Sequence, residues 1–250
     1  MYTLKKSLGQ HFLKDKNICK QIVEALQQHS FQHLLEVGPG GGALTKYLLQ
    51  WPNIDFKAVE LDEEKIKYLQ QTYPTITTQL IHASVLDIDA PFAASFAVIG
   101  NFPYNISAPI LFKLIDWYTQ LSVVIGMFQK EVAQRVAAIP GNKTYGVISV
   151  LIQAYFEVQY LFEVDEHAFT PPPKVKSAVI QLIPRKILPN MYSVERFRLL
   201  VKTAFNQRRK TLRNAVRGLF DARILQQEIF NNRAEALSVD DFAALTHVMK

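Results

Sequence analysis

The chain has 250 residues, 49% of them apolar, which is enough to bury a sizeable core and excludes a disordered polymer. A single cysteine, Cys19, excludes an internal disulfide and fits a reducing compartment. The net charge is +6, the opening Met1–Lys16 is charged rather than apolar, and no stretch reaches the roughly 18 apolar residues of a membrane helix, so the expected location is the cytoplasm.

After a basic N-terminal arm, Ile18, Ile22, Val23 and Leu26 fall at helical spacing and predict a helix over about 15–29, with Cys19 on its apolar side. The apolar run Leu34–Val37 predicts a strand that ends in glycines, followed by a helix to about Gln50. A second run, Phe56–Leu61, ends in acids that open a helix over about 62–71. Strand-like runs recur at 79–82, 96–99, 122–128 and 177–183, with helical stretches between most of them. This alternation predicts an α/β fold, a mostly parallel, doubly wound sheet with helices on both faces. Tyr155, Phe156, Tyr160 and Phe162 alternate near strand spacing and are assigned to packing. From about Lys186 the pattern turns helical and basic, which places a boundary between a domain of residues 1–185 and one of residues 186–250.

Two features mark a ligand site at the strand ends. The loop Glu36-Val-Gly38-Pro-Gly40-Gly-Gly42 allows a backbone to approach a ligand closely. Twenty-two residues beyond Gly38, Glu60 stands where an acid can accept the hydroxyls of a ribose. The pair implies a nucleoside-containing ligand without saying which, because Gly38, Gly40 and Ala43 also satisfy the dinucleotide pattern of NAD enzymes. Asn101-Phe-Pro103-Tyr104 follows the run 96–100 and speaks to the chemistry. An adenine N6 is a poor nucleophile, its lone pair being delocalised into the ring, and acceptors for its protons make it a better one. Asn101 offers a side-chain carbonyl, Pro103 holds a neighbouring main-chain carbonyl in place, and Tyr104 can stack on the base.

The tail carries the charge. Between Arg185 and Arg223 there are eleven Lys or Arg and two acids, whereas the remaining residues hold 17 against 20. Residues 195–219 predict one long helix with Phe197, Leu200, Val201, Ala204 and Phe205 on one face and cations on the other, a surface suited to phosphates. The six histidines show no metal-ligand spacing, so no metal is expected.

The segments Lys5–Leu13, Glu36–Gly40, Glu60–Asp62, Asn101–Ser107, Phe169–Ser177 and Ala204–Asn214 together resemble the small-subunit rRNA adenine N6,N6-dimethyltransferases, the KsgA/RsmA family, nearly end to end. The resemblance implies a Rossmann-like class I methyltransferase domain with a small all-helical C-terminal domain. It implies S-adenosylmethionine as donor and two adjacent adenosines in the 3′-terminal hairpin of 16S rRNA, within an assembling 30S particle, as target. His11, Leu13, Gly38, Gly40, Glu60 and Asn101 would touch the donor. Asn101, Pro103 and Tyr104 would serve catalysis, with Phe169 closing over the base opposite Tyr104. Arg208, Arg209, Lys210 and Arg213 would meet RNA, and a monomer is expected. Where the family has an aspartate for the donor's adenine, this chain has Ser84. Two other readings remain open: an adenine methyltransferase acting on large-subunit rRNA or DNA, and a non-enzymatic ribosome-assembly factor.

Overall fold

The computed structural model describes residues 11–250, and the Lys5–Gln10 part of the first family segment lies outside them. In chain order the elements are β1 (Phe12–Leu13), α1 (Lys16–Gln27), β2 (His33–Val37), α2 (Thr45–Leu48), β3 (Asp55–Glu60), α3 (Glu63–Thr72), β4 (Leu80–His82), β5 (Phe96–Asn101) and α4 (Ser107–Asp116). There follow β6 (Leu121–Gln129), α5 (Lys130–Val136), α6 (Val147–Gln153), β7 (Phe156–Val164), β8 (Phe169–Thr170), β9 (Ser177–Pro184), α7 (Val194–Asn206), α8 (Leu212–Ala215) and α9 (Val239–Leu245). Short 3₁₀ turns fill much of the chain after α8.

Seven strands form one sheet in the order β4-β3-β2-β5-β6-β9-β7. From β4 to β6 the pairing is parallel, and β9 runs antiparallel to β6. Strand order reverses between β2 and β5, which opens a crevice at the carboxyl ends of those two strands. The core follows from period-two alternation: Leu34, Ala97, Ile99, Val123, Ile125 and Met127 share one cluster with Ile22 and Leu26 of α1. The residues between them, Leu35, Val98 and Val124, are equally buried, so both faces of the sheet are covered. Cys19 is in that cluster, as its helical position implied. Asp15 starts α1 by accepting from the Asn17 and Ile18 N–H groups at 2.8 and 3.2 Å.

Two compact units divide the chain: the described residues to Ala133 with Val158–Pro184, and Gln134–Glu157 with Arg185–Lys250. A single cut after residue 185 does not include the segment 134–157 in the second unit. That segment is tied together, and to Arg185, by contacts that composition does not reveal. The Gln153 amide donates to the Val136 and Ala138 carbonyls at 2.8 and 2.7 Å, and the Arg185 N–H donates to the Tyr155 carbonyl at 2.8 Å.

Two predicted helices are shorter than their patterns. The helix after the glycine loop is only α2, because Gly38, Gly40 and Gly42 at φ of 68°, 56° and 79° commit the preceding residues to turns. The basic helix expected through residue 219 ends at Asn206, and Gln207–Thr211 form a turn before α8. No apolar side chain lies between Phe205 and Leu212 to hold further turns against a core, and three adjacent cations repel one another there. Among the described residues no helix is long and apolar enough to cross a membrane.

Candidate active site

A cleft of about 1200 Å³, its open mouth included, lies at the crevice within the first unit. His11, Leu13, Gly38, Gly40, Glu60, Ser84, Asn101, Pro103 and Tyr104 all line it. Residues more than ninety positions apart thus converge on one space because β2, β3 and β5 end side by side.

The glycine loop is fastened to β3 by Glu60. One carboxylate oxygen accepts from the Gly40 N–H at 3.1 Å, and the other accepts from the Leu61 and Asp62 N–H groups at 3.0 Å each. A carboxylate has about four acceptor positions, so three protein donors leave room for about one hydroxyl rather than a bidentate grip on two. Glu60 therefore shapes the loop. Gly40 faces the ring of Phe12, which an added Cβ would meet at 3.4 Å. Phe12 and Leu13 are laid across the loop by pairing with Thr170 and Phe169 in an antiparallel ribbon.

At the end of β5 the side chain of Asn101 is oriented by the arm. Its amide Nδ2 donates to the His11 carbonyl at 3.3 Å, leaving Oδ1 as the acceptor. Pro103 sits at φ −58°, and its own carbonyl accepts from the Ile106 N–H and the Ser107 hydroxyl at 3.3 and 3.4 Å. The Pro103 carbonyl is therefore engaged within the loop, and the carbonyl that precedes the proline is that of Phe102. The Phe102 ring is buried beneath the loop, where two glycines make space for it: a Cβ on Gly100 or Gly126 would lie 2.7 or 2.4 Å from that ring. The Tyr104 ring is stacked on His11 with centroids 5.5 Å apart, and its hydroxyl is hydrogen-bonded to that of Ser177. Burial raises the Tyr104 phenol above the ordinary tyrosine range, and the Ser177 hydrogen bond partly offsets this.

Ser84 lines the cleft while its hydroxyl accepts from the Leu86 N–H at 3.2 Å, closing a turn in which the Asp87 N–H donates to the Ser84 carbonyl. Asp87, the next acid along the chain, is not among the lining residues. Phe169 is not brought to the cleft. It is fully buried in the core cluster, opposite Leu13 in the ribbon, because an unburied phenylalanine at that register would leave the space between arm and sheet empty.

One cleft residue received no role from the sequence. Glu36 is buried, accepts from the Thr45 hydroxyl at 2.7 Å, and is pushed up to about 8 by burial, with the Thr45 hydrogen bond opposing and the Glu60 charge adding. An acid interrupting the apolar run Leu34–Val37 was the available signal.

The expected RNA-binding cations lie in the second unit. Arg208, Arg209 and Lys210 are exposed on the turn after α7. Arg208 donates to the Lys143 carbonyl and faces Glu235 at 3.7 Å, and Arg213 is half-buried with Nε donating to the Leu225 carbonyl at 2.8 Å. Arg208 and Arg213 are thus partly spent on the fold, whereas Arg209 and Lys210 stand on the turn as open charges. Elsewhere, Asp165, Glu166 and His167 cluster within 4.8 Å, with Asp165 already engaged by the His167 N–H and Lys176.

A Rossmann-like sheet with a glycine loop, an acid closing β3 and Asn101–Tyr104 at the end of β5 defines a class I methyltransferase. The fold is shared with a dimethyladenosine transferase from Plasmodium falciparum, at TM-score 0.81 and 23% identity over 96% of this chain and 99% of that one. It is also shared with the 23S rRNA methyltransferase ErmE, at TM-score 0.69 and 21% identity over 93% and 99%. The chain belongs to the Ribosomal RNA adenine dimethylase family, whose pattern it matches over residues 1–250. It is similar to the Ribosomal RNA small subunit methyltransferase A of Cytophaga hutchinsonii, 49% identical over 98% of this chain and 96% of that protein. The protein of the same name from Phocaeicola vulgatus is 46% identical over 97% and 88%.

Proposed function

We propose that this protein transfers methyl groups from S-adenosylmethionine to N6 of two adjacent adenosines in the 3′-terminal hairpin of 16S rRNA, as a cytoplasmic monomer acting on the assembling 30S particle. The observation that carries the reading is the orientation of Asn101 at the mouth of the cleft, with Nδ2 held by the His11 carbonyl and Oδ1 left to accept.

The cleft suits the donor. The remaining acceptor position of Glu60 takes a ribose hydroxyl, the glycine loop admits close approach, and Ser84 lines the same space. The sulfonium supplies an electrophilic methyl when bound, and this needs no metal. Asn101 Oδ1 and the Phe102 carbonyl accept from the two N6 protons, which localises the nitrogen lone pair for attack. With the donor bound, its S–C bond would break as the new N–C bond formed, and the extra N6 proton would leave to water. In the second transfer one N6 proton remains, so one acceptor is engaged and the alignment of the base carries more of the rate. Tyr104 provides that alignment as a stacking surface, a use suited to an extruded nucleotide. Arg209 and Lys210, with Arg208 and Arg213 beside them in sequence, meet RNA phosphates.

Primer extension across rRNA from cells lacking this protein tests the whole reading, because a dimethylated N6 cannot pair. Two adjacent stops near the 3′ end of 16S rRNA should vanish and return on complementation. Stops that persist would defeat the proposal, and stops lost from large-subunit rRNA instead would reassign the substrate.

A further inference from the structure

The segment Phe169–Ser177 meets the Asn101–Tyr104 loop at its far end, not at Phe169. Ser177 opens β9 opposite Gln129 of β6, is fully buried, and is hydrogen-bonded through its hydroxyl to the Tyr104 hydroxyl 73 positions away in sequence. A buried hydroxyl needs a partner, and the phenol supplies it. On the other side, the His11 ring covers one face of Tyr104, and His11 Nδ1 is itself hydrogen-bonded to the Pro171 carbonyl at 2.9 Å. Tyr104 is therefore held at its tip by the last residue of this segment and on one face by a histidine that the same segment anchors.

We propose that Ser177 is a positioning residue for methyl transfer: with His11 it locks the Tyr104 ring so that a single face is offered to the target adenine. This rests on the reading of Tyr104 as the stacking surface. A tyrosine without these contacts turns about its side-chain torsions, and each base would have to select the productive ring orientation before reacting. With the tip tied to β9, that ordering is complete before the base arrives. The second transfer, which has one fewer amine proton for the site to hold, gains most from it.

The test is a double-mutant cycle on Ser177→Ala and Tyr104→Phe, read as single-turnover methylation of small subunits from cells lacking this protein, at saturating donor. Each single variant removes the same hydrogen bond from a different side. Each should slow transfer by about fivefold, the scale of one neutral hydrogen bond. The loss should be larger in the step from monomethyl to dimethyl adenosine, and donor affinity should stay within about twofold. Ser177→Ala added to Tyr104→Phe should cost nothing further. The Tyr104 phenol, followed by NMR of ring-labelled tyrosine, should titrate at higher pH in Ser177→Ala, because the hydrogen bond lowers it. A wild-type rate for Ser177→Ala, or a loss that persists undiminished in the Tyr104→Phe background, would overturn the positioning role. Tyr104→Ala separates the underlying reading: a rate near wild type there would show that the ring is no stacking surface at all.

Discussion

The cleft of the first unit and the basic turn of the second handle polar groups in opposite ways. In the cleft, Glu60 is held by three backbone N–H groups, Asn101 by the His11 carbonyl and Tyr104 by Ser177. On the turn after α7, Arg209 and Lys210 are exposed and no apolar neighbour in sequence pins them. Methyl transfer depends on geometry at the scale of tenths of an ångström, so its groups are ordered in advance and the fold bears the entropy cost. Attraction of a polyanion depends on charge within a Debye length of about 8 Å and tolerates movement. Arg208 and Arg213 fall between these cases, since the fold already uses part of each guanidinium.

That contrast predicts unequal sensitivities. Asn101→Ala removes an ordered acceptor from the nucleophile and should slow single-turnover methylation by on the order of a hundredfold, with donor binding retained. A rate within threefold of wild type would mean that orientation of this amide is irrelevant to the chemistry.

Next in size is the double reversal Arg209→Glu with Lys210→Glu. It should weaken RNA binding by tenfold or more and lower the log–log salt slope by about 0.7–0.9 per lost contact, leaving donor affinity untouched. Binding titrations at several salt concentrations check this, and an unchanged slope would remove the turn from the RNA surface. Reversing Arg208 or Arg213 should in addition lower the melting temperature, which the outer pair should not do.

Glu36 tests whether cleft order has a pH cost. Its folded value is raised to about 8 by burial, above the ordinary 4.5. The folded state thus binds the proton more tightly than the unfolded chain, and the stability this contributes is complete below about pH 4.5 and lost as pH rises through about 8. Glu36→Gln should abolish that decline, whose slope is at most about 1.4 kcal/mol per pH unit. Urea unfolding at pH 5 and pH 9 should show the variant gaining on wild type only at the higher pH. Equal pH dependence of the two proteins would show that Glu36 ionises without cost.

The smallest expected effect is at Ser84, where a carboxylate could close the same turn by accepting the Leu86 N–H and also accept from an adenine amine. Ser84→Asp should tighten S-adenosylmethionine binding by about 1 kcal/mol, roughly fivefold, because charged acceptors are stronger than neutral ones. Calorimetry showing weaker binding would place Ser84 away from the adenine.

The strands, the glycine loop and the cleft-lining segment Asn101–Tyr104 were legible in the sequence because each is a local pattern: period-two burial, glycines at turns, an acid a strand and helix further on. What the sequence could not supply were relations between segments. Gly100 and Gly126 are one such relation, since the Phe102 ring lies over both. Residues 134–157 read as part of the first domain, and their place in the second unit depends on contacts with residues far along the chain, such as the Gly141 N–H donating to the Glu235 carbonyl at 2.7 Å and Arg208 donating to the Lys143 carbonyl. The sequence predicts a basic helix running past Asn206, but a helix persists only where a core receives an apolar face, and Gln207–Thr211 bring none. Phe169 was legible as a motif residue, yet the ribbon with Leu13 turned it into the core and left the contact with Tyr104 to Ser177. Periodicity records which face of an element is apolar. Only packing decides what that face meets, and therefore which polar groups are buried, oriented or shifted in acidity.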